Sequence, residues 1–288
     1  SMAKTMPRNI KDTVNQLRDA LQQGLQSRCS RMVIEMPYAA NFGVEGAKTQ
    51  EEGGIPLQKA EDGIRSDREL ARLIAGLFEG TELESTTVVA FSDKQLATKA
   101  TKKWGASYRG QIIVLDAKQK KAARTSSGGG FGGKATSAQP KSSAVPEGTE
   151  VLLVVAPGKK QLKAIENIAQ EVGLGCLMVL VNARLSELTY DSEAQRAFFA
   201  SEFQSIYHLQ PNPVPSWNGG VLYRSYPDDW TLAVPRKIGP PRILATSSDK
   251  WGVEEMEKVL REAQDSDGDV LADVGNAIGG AFGFLQGK

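Results

Sequence analysis

The sequence predicts an α/β fold, with a mostly parallel, Rossmann-like sheet flanked by helices and extended by a C-terminal antiparallel hairpin. Three observations predict it. Several short segments are apolar throughout, as strands covered on both faces of a parallel sheet are. Segments of helical periodicity alternate with them, which is the order of βαβ units. Near the C-terminus the apolar period changes to two, which is typical of antiparallel strands.

The N-terminal elements follow from their spacing. Apolar residues recur at helical intervals from Asn9 to Gln26, which predicts an opening helix. Arg31 to Pro37 is predicted as a strand that stops at its proline. Asn41 to Arg65 is rich in Gly, Glu and Gln and is predicted to form an exposed loop. Asp67 is then expected to cap a helix over Arg68 to Glu79.

The alternation of strands and helices continues through the middle of the chain. Strands are predicted at Thr86 to Phe91, Gln111 to Leu115, Val151 to Ala156 and Cys176 to Val181. Helices are predicted at Asp93 to Trp104, Lys159 to Glu171 and Ser192 to Gln204. This order favours a parallel sheet built from crossover connections.

The C-terminal part is predicted to add antiparallel strands. Val221 to Tyr226 alternates in polarity and is predicted as a strand. Pro227-Asp228-Asp229 is a turn signal, and Trp230 to Val234 is predicted as the second, antiparallel strand of the hairpin. A short strand over Arg242 to Thr246 and a helix beginning near Val253 complete the predicted elements.

A single α/β domain is predicted over residues 7–264. Lys118 to Gly148 is dominated by Lys, Ser, Gly, Ala and Pro, which bury too little surface to offset the entropy of ordering, so a flexible insertion is predicted at about 118–148. Residues 265–288 are predicted to be a flexible or partner-docking tail. The apolar stretch Ala277 to Leu285 within it is too short to span a bilayer.

Composition excludes several classes of protein. The chain of 288 residues has a formal net charge of +1, which argues against a partner recruited by overall charge. Cys29 and Cys176 are the only cysteines, so a disulfide-stapled secreted fold and a cysteine zinc site are disfavoured, and a reducing compartment fits best. No stretch approaches the length of a transmembrane helix. We therefore expect a soluble intracellular protein.

One motif resembles a functional site without matching it, and the single histidine limits the chemistry that is possible. Gly128 to Lys134 (GGGFGGK) is close to a phosphate-binding loop, but Ala135 stands at the Ser/Thr position and the preceding strand is distant, so we interpret it as linker. His208 is the only histidine, which excludes a two-histidine metal site and favours a packing role. We predict no catalytic residue, no metal ligand and no cofactor.

Polar residues at the predicted carboxyl ends of the strands form a candidate ligand site, because ligands of open α/β sheets bind there. The candidates are Glu35, Asp93, Lys94, Gly158, Lys159, Asn182 and Arg184. Gly158 and Lys159, at a helix start, would offer free amides and positive charge to an anion. For the carboxylate of Glu35 we expect an ion pair, to Arg184 or Arg224, before acid–base chemistry. The alternative is that these residues are polar because strand-end loops are solvated.

A basic cluster offers an RNA-binding alternative. Basic residues are frequent between Lys94 and Arg124, and Trp104 and Tyr108 lie among them. Such interleaving could bind phosphates and stack bases. A solvated helix face followed by a basic linker explains the cluster as simply.

Short motifs along most of the chain resemble a known family. Phe203 to Pro211 (FQSIYHLQP), Gly219 to Leu232 (GGVLYRSYPDDWTL), Met32 to Pro37 and Ser92-Asp93 are similar to the plant and algal domain of unknown function 1995 family, over roughly Pro7 to Ala263. Its members include chloroplast proteins of the low photosystem II accumulation type and the extension of a chloroplast adenylate kinase. The resemblance implies a stromal or thylakoid-associated chloroplast protein whose transit peptide is absent from this sequence. It implies no catalytic residue set.

Three functional hypotheses follow. The first is a non-catalytic chloroplast factor, with peripheral thylakoid association, that binds a protein partner in photosystem II assembly or maintenance. Its candidate contact residues are Tyr207, Trp217, Tyr223, Arg224, Tyr226 and Trp230, unless the aromatic ones fill the core. The second is a phosphate- or nucleotide-binding enzyme that uses Lys159, Asn182 and Asp93. The third is an RNA-binding chloroplast protein.

Overall fold

The structure, a computed structural model, describes residues 6–40, 42, 60–115, 145–217, 219–236 and 240–266. The helices are α1 (Ile10–Gln26), α2 (Ala60–Gly76), α3 (Lys94–Trp104), α4 (Lys159–Val172), α5 (Glu193–Glu202) and α6 (Val253–Ser266), with a 3-10 turn at Gly105–Ser107. The strands are β1 (Arg31–Glu35), β2 (Thr87–Phe91), β3 (Gln111–Val114), β4 (Val151–Val155), β5 (Leu177–Val181), β6 (Gln204–Pro211), β7 (Val221–Ser225), β8 (Trp230–Val234) and β9 (Arg242–Ser247).

All described strands join one nine-stranded sheet in the order β3-β2-β4-β5-β1-β6-β7-β8-β9. Neighbours from β3 to β6 are parallel, and every pair from β6 to β9 is antiparallel. The predicted α/β fold, with a mostly parallel sheet and a C-terminal antiparallel extension, is confirmed. Since β6 pairs in parallel with β1 and antiparallel with β7, it joins the two parts of the sheet.

The helices cover both faces of the sheet. Residues of α1, α2 and α3, such as Leu21, Ile74 and Ala100, share one apolar cluster with alternate residues of the central strands. The intervening strand residues face a second cluster with α4 and α5, and a third cluster packs α6 on the antiparallel strands around Leu260. Helices α1 to α3 therefore lie on one face and α4 to α6 on the other.

Side-chain caps fix several helix starts. The side chain of Asn9 accepts a hydrogen bond from the backbone N–H of Asp12, so α1 begins where its spacing predicts. Asp93 accepts from the N–H groups of Gln95 and Leu96 at the start of α3. Ser192 caps α5 in the same way.

Two predicted elements were wrong. Helix α2 begins at Ala60, so Asp67 lies inside the helix instead of capping it, and the end of the predicted loop is helical. Residues 41 and 43–59 of that loop lie outside the described residues. The eight-residue strand β6 was also missed, because no element was predicted after the helix Ser192 to Gln204.

The predicted insertion and tail fall largely on residues that are not described. Of the insertion, residues 118–144 lie outside the described residues, as does the glycine-rich motif within it. Of the predicted tail, residues 267–288 also lie outside the described residues. Among the helices that are described, none combines the length and apolar composition needed to cross a bilayer.

Candidate functional site

The carboxyl ends of the parallel strands contain two points where the connections diverge. Strands β2 and β4 are neighbours, yet β2 leads to α3 on one face and β4 to α4 on the other. Strands β5 and β1 are also neighbours, and they lead to α5 and α2 on opposite faces. Because such points open a crevice, they are where ligands of open α/β sheets bind.

Glu35 and His208 form a buried pair beside the second of these points. They end up side by side because β1 and β6 pair in parallel with these two residues in register. Nδ1 of His208 lies 2.9 Å from Oε2 of Glu35, and the two side chains are only 3% and 13% exposed. The backbone N–H of Leu185 donates to the other carboxylate oxygen at 3.3 Å, and Nζ of Lys250 lies 3.9 Å from Oε2.

The second ring nitrogen of His208 is also occupied. Its Nε2 lies 3.1 Å from Oε1 of Gln210, and the ring meets Trp230 edge to face with centroids 5.1 Å apart. The cationic groups of Arg224 and Lys250 lie 5.2 and 5.4 Å from the centroid of the same Trp230 ring. With both nitrogens bonded inside the chain, the imidazole has none free to accept a proton from a substrate.

The surroundings of Glu35 keep it ionised. Burial raises the pKa of this carboxyl, but the hydrogen bond and charge of His208, the charge of Lys250 and the Leu185 N–H outweigh burial and lower the pKa to about 2. A proton donor or acceptor for catalysis near neutral pH needs a pKa close to 7. The environment of Glu35 therefore favours a carboxylate that stays ionised over one that transfers protons.

A second polar cluster joins α2 to the end of β5. Nδ2 of Asn182 donates to Asp67 at 2.7 Å, and Nη2 of Arg184 donates to the same carboxylate at 2.9 Å. Oδ1 of Asn182 accepts from the backbone N–H of Met36 at 2.8 Å, so β1 is connected to the cluster. Burial raises the pKa of Asp67 against the opposing effect of Arg184. The expected partners of Glu35 were wrong, because the carboxylate contacts His208 and Lys250, whereas Arg184 binds Asp67 and Arg224 lies over Trp230.

The backbone at these strand ends is unusual. Ala156, Asn182 and Arg184 have φ values of 42°, 50° and 47°, in the left-handed region that residues other than glycine rarely adopt. Such conformations persist where surrounding contacts enforce them, and they concentrate at functional sites. For Asn182 the enforcing contacts are the hydrogen bonds to Asp67 and Met36.

A small cavity lies at the first divergence point, between β2 and β4. It has a volume of about 160 Å3 and is lined by Ile64, Asp67, Arg68, Phe91, Leu96, Val155 and Ala156. Most of these side chains are apolar. Two partly exposed residues lie on the same side of the fold: Ile64 in the cavity wall, 36% exposed, and Tyr38, 47% exposed, whose ring packs under the Arg184 guanidinium at 5.5 Å.

The other ligand candidates make local contacts. The side chain of Asp93 is used as the cap of α3, and the N–H of Gly158 donates to Gln161 at 3.1 Å. Nζ of Lys159 pairs with Asp191 at 3.1 Å on the surface, and Lys94 is exposed. The structure therefore brings Glu35, Asn182 and Arg184 together at the carboxyl ends of β1 and β5. The other four candidates lie outside that network: Asp93, Lys94, Gly158 and Lys159.

Three of the candidate partner-binding residues belong to the core. Tyr207, Tyr223 and Trp230 are 0%, 3% and 3% exposed, and both tyrosine hydroxyls donate to Oε1 of Gln16. They cannot be surface contact residues, so the alternative that they fill the core is correct for them. Trp217, Arg224 and Tyr226 are partly exposed.

Sequence reasoning missed three members of the network. His208 was assigned to packing, Asp67 to a helix cap, and Lys250 was not singled out. For His208 and Lys250 the only sequence signal is the demand of a buried Glu35 for a positively charged neighbour, and Asp67 has no such signal. Within the described residues, no group of three or more histidine, cysteine or acidic side chains is placed to hold a metal ion.

Comparisons with known proteins agree with the motifs. No curated protein and no solved structure matches the chain. A family model described as Domain of unknown function (DUF1995) matches residues 7–258, which include both polar clusters and the cavity between β2 and β4. Since this match covers most of the 288 residues, the chain belongs to the DUF1995 family.

Proposed function

We propose that the protein is a non-catalytic auxiliary factor of the chloroplast that binds a protein partner in the assembly or maintenance of photosystem II. The observation that supports this proposal most directly is the internal pairing of the strand-end charges. Glu35 is paired with His208, and Asp67 with Arg184, so these groups stabilise the fold instead of being presented to a substrate.

The apolar cavity between β2 and β4 supports protein binding. An apolar cavity of about 150 Å3 accommodates a benzene ring, and this one, at about 160 Å3, is of the size of one aromatic or leucine side chain. Ile64 and Tyr38 provide exposed apolar surface on the same side of the fold. Interfaces are stabilised mainly by a few apolar anchors seated in such pockets.

The compartment and process come from the family resemblance. The motifs shared with chloroplast proteins of the low photosystem II accumulation type are the reason for expecting a partner in photosystem II, on or near the thylakoid surface. The chemistry of the cavity requires only that the partner insert an apolar side chain.

A matched pair of variants tests the proposal. Ile64→Asp introduces a charge into the cavity wall, while Leu174→Asp makes the same change at a position that is 75% exposed and outside the cavity. Each tagged protein is used to capture partners from solubilised thylakoid membranes, and photosystem II subunits are quantified by mass spectrometry. We expect wild type and Leu174→Asp to recover photosystem II subunits, and Ile64→Asp to recover roughly tenfold less, as for the loss of one buried anchor.

Two results would contradict the proposal. Recovery of no photosystem II component by the wild-type protein would remove the assigned partner. Equal recovery by Ile64→Asp and wild type would remove the cavity from the interface. The enzyme hypothesis predicts instead that a nucleotide or sugar phosphate stabilises the protein, by about 2.7 kcal/mol at a hundred times its Kd, which a thermal-shift panel measures.

A further inference from the structure

A wide groove crosses the helical face formed by α1, α2 and α3. Its volume is about 700 Å3, far larger than the strand-end cavity, and its walls come from all three helices and the turn after α3. It does not share a lining residue with the cavity between β2 and β4. The groove is therefore a separate surface on the molecule.

The floor of the groove is apolar. Val14 of α1 and Leu73 and Leu77 of α2 line it, and each of them is only partly buried. Trp104 of α3 forms part of the wall and is 5% exposed. Partly exposed apolar side chains that lie together on two helices form the kind of patch that protein–protein interfaces cover.

The rim of the groove is basic. Arg18 of α1 and Lys103 of α3 are exposed and line it, and among the described residues neither has an ion pair or hydrogen bond. Arg72 is already used, since Nη1 lies 2.6 Å from Glu79 and Nη2 donates to the carbonyl of Ser107. The Arg72–Glu79 pair is neutral in sum, which leaves Arg18 and Lys103 as two uncompensated positive charges on opposite walls.

We propose that this groove binds an acidic amphipathic helix of the protein partner. This inference rests on the proposed protein-binding function and adds the chemistry of the segment that is recognised. An amphipathic helix places apolar side chains on the strip formed by Val14, Leu73 and Leu77, as in other helix-in-groove complexes. Glutamate or aspartate side chains at the edges of that helix reach Arg18 and Lys103, so charge complementarity sets its orientation.

Two features favour a protein helix over RNA. The aromatic ring in the wall, Trp104, is buried and packs against Phe91 and Tyr108, so its face is not free to stack on a base. The apolar floor has no counterpart in a nucleic acid backbone.

The test uses the full chain and three fluorescent probes in anisotropy titrations. The first probe is a helical peptide with leucines along one face and glutamates on the other, the second has lysines in place of the glutamates, and the third is a single-stranded RNA oligonucleotide. Lys103→Glu reverses a rim charge, and Arg18→Glu does the same on the opposite wall. Lys160→Glu is the matched control, since Lys160 is exposed on α4, on the other face of the sheet.

We expect the glutamate peptide to bind, with Lys103→Glu and Arg18→Glu each weakening the Kd roughly tenfold and Lys160→Glu leaving it unchanged. Tighter binding of RNA or of the lysine peptide would overturn the inference, as would equal affinities for all variants. Self-association that Lys103→Glu abolishes would identify a second copy as the occupant instead.

The capture experiment separates this inference from the proposed function. If wild type recovers photosystem II subunits and Lys103→Glu recovers them equally well, the groove inference is wrong and the proposed function stands. If wild type recovers none while the glutamate peptide binds as expected, the proposed partner is wrong and the groove still recognises acidic helices.

Discussion

Oε2 of Glu35 lies 2.9 Å from Nδ1 of His208, and the pair connects the central strand β1 to the strand at which the sheet changes from parallel to antiparallel. Both side chains are almost inaccessible to water. Breaking such a pair leaves one polar group buried without its partner, which costs more than the pair itself contributes. This contact should therefore control stability.

Acid should destabilise the protein through Glu35. The pKa of Glu35 is lowered from 4.5 to about 2 on folding, so the stabilisation is complete above pH 4.5 and is lost as the pH falls through 2. The loss is on the order of 3 kcal/mol. In urea unfolding at several pH values, we expect the free-energy difference between wild type and Glu35→Gln to shrink steadily from pH 4.5 to 2. A free-energy difference between the two proteins that stays constant from pH 4.5 to 2 would show that the pKa of Glu35 is not lowered on folding.

Replacing His208 alone should destabilise the protein more than replacing both His208 and Glu35. His208→Leu leaves the Glu35 carboxylate buried, with Lys250 at 3.9 Å as the nearest remaining cation in the described part of the chain, and we expect a loss of about 3–5 kcal/mol. Adding Glu35→Leu removes the uncompensated charge and should recover part of that loss. Chemical denaturation of the two single variants and the double variant gives the coupling energy. Additive effects would show that the two residues act independently.

Asn182 should tolerate glycine better than alanine. Both substitutions remove the hydrogen bonds that the Asn182 side chain makes with Asp67 and Met36. At a φ of 50°, however, only alanine adds strain from its Cβ. We expect the free energy of unfolding of Asn182→Gly to be about 1 kcal/mol higher than that of Asn182→Ala. At the neighbouring Ala183, which is buried without a positive φ, glycine should instead destabilise the protein. The reverse order at Asn182 would mean that its backbone relaxes on substitution.

Gly110 should be hard to replace. A Cβ there would lie 2.4 Å from the backbone oxygen of Thr87 and 2.4 Å from the hydroxyl of Tyr108, which itself donates to that oxygen. Because a backbone atom cannot swing aside, we expect Gly110→Ala to cost about 1–3 kcal/mol in thermal or chemical unfolding. Gly175→Ala is the control, since nothing lies within 4 Å of its added carbon. Equal stability of the two variants would show that the β2–β3 edge is not closely packed.

Local sequence patterns predicted most of the sheet. Buried strands such as Val151–Val155 and Leu177–Val181 are recognisable because short, continuous apolar runs are typical of strands covered on both faces. Strand β6 escaped prediction because Ser205, His208 and Gln210 interrupt its apolar residues, and their burial depends on β1 and β7 alongside. Pairing between distant strands has no local signal.

The candidate site was predicted in location but not in its contacts. Strand-end topology placed Glu35, Asn182 and Arg184 at one edge of the sheet, and a buried carboxylate required a partner. The partner could not be identified, because it depends on the register between β1 and the unpredicted β6. Asp67 was assigned to a cap because it precedes the predicted helix Arg68 to Glu79, whereas its carboxylate is held by Asn182 and Arg184 from the carboxyl end of β5.

Helix α6 and the outer antiparallel strands enclose an apolar cluster of their own, distinct from the one under α4 and α5. A segment with a separate small core can open at a free energy below that of global unfolding, because few apolar contacts outside it are broken. Amide protons of α6 and β9 should then exchange with solvent earlier than those of β4 and β5. In a cell, a protease or a chaperone would therefore meet α6 and β9 before it meets β4 and β5.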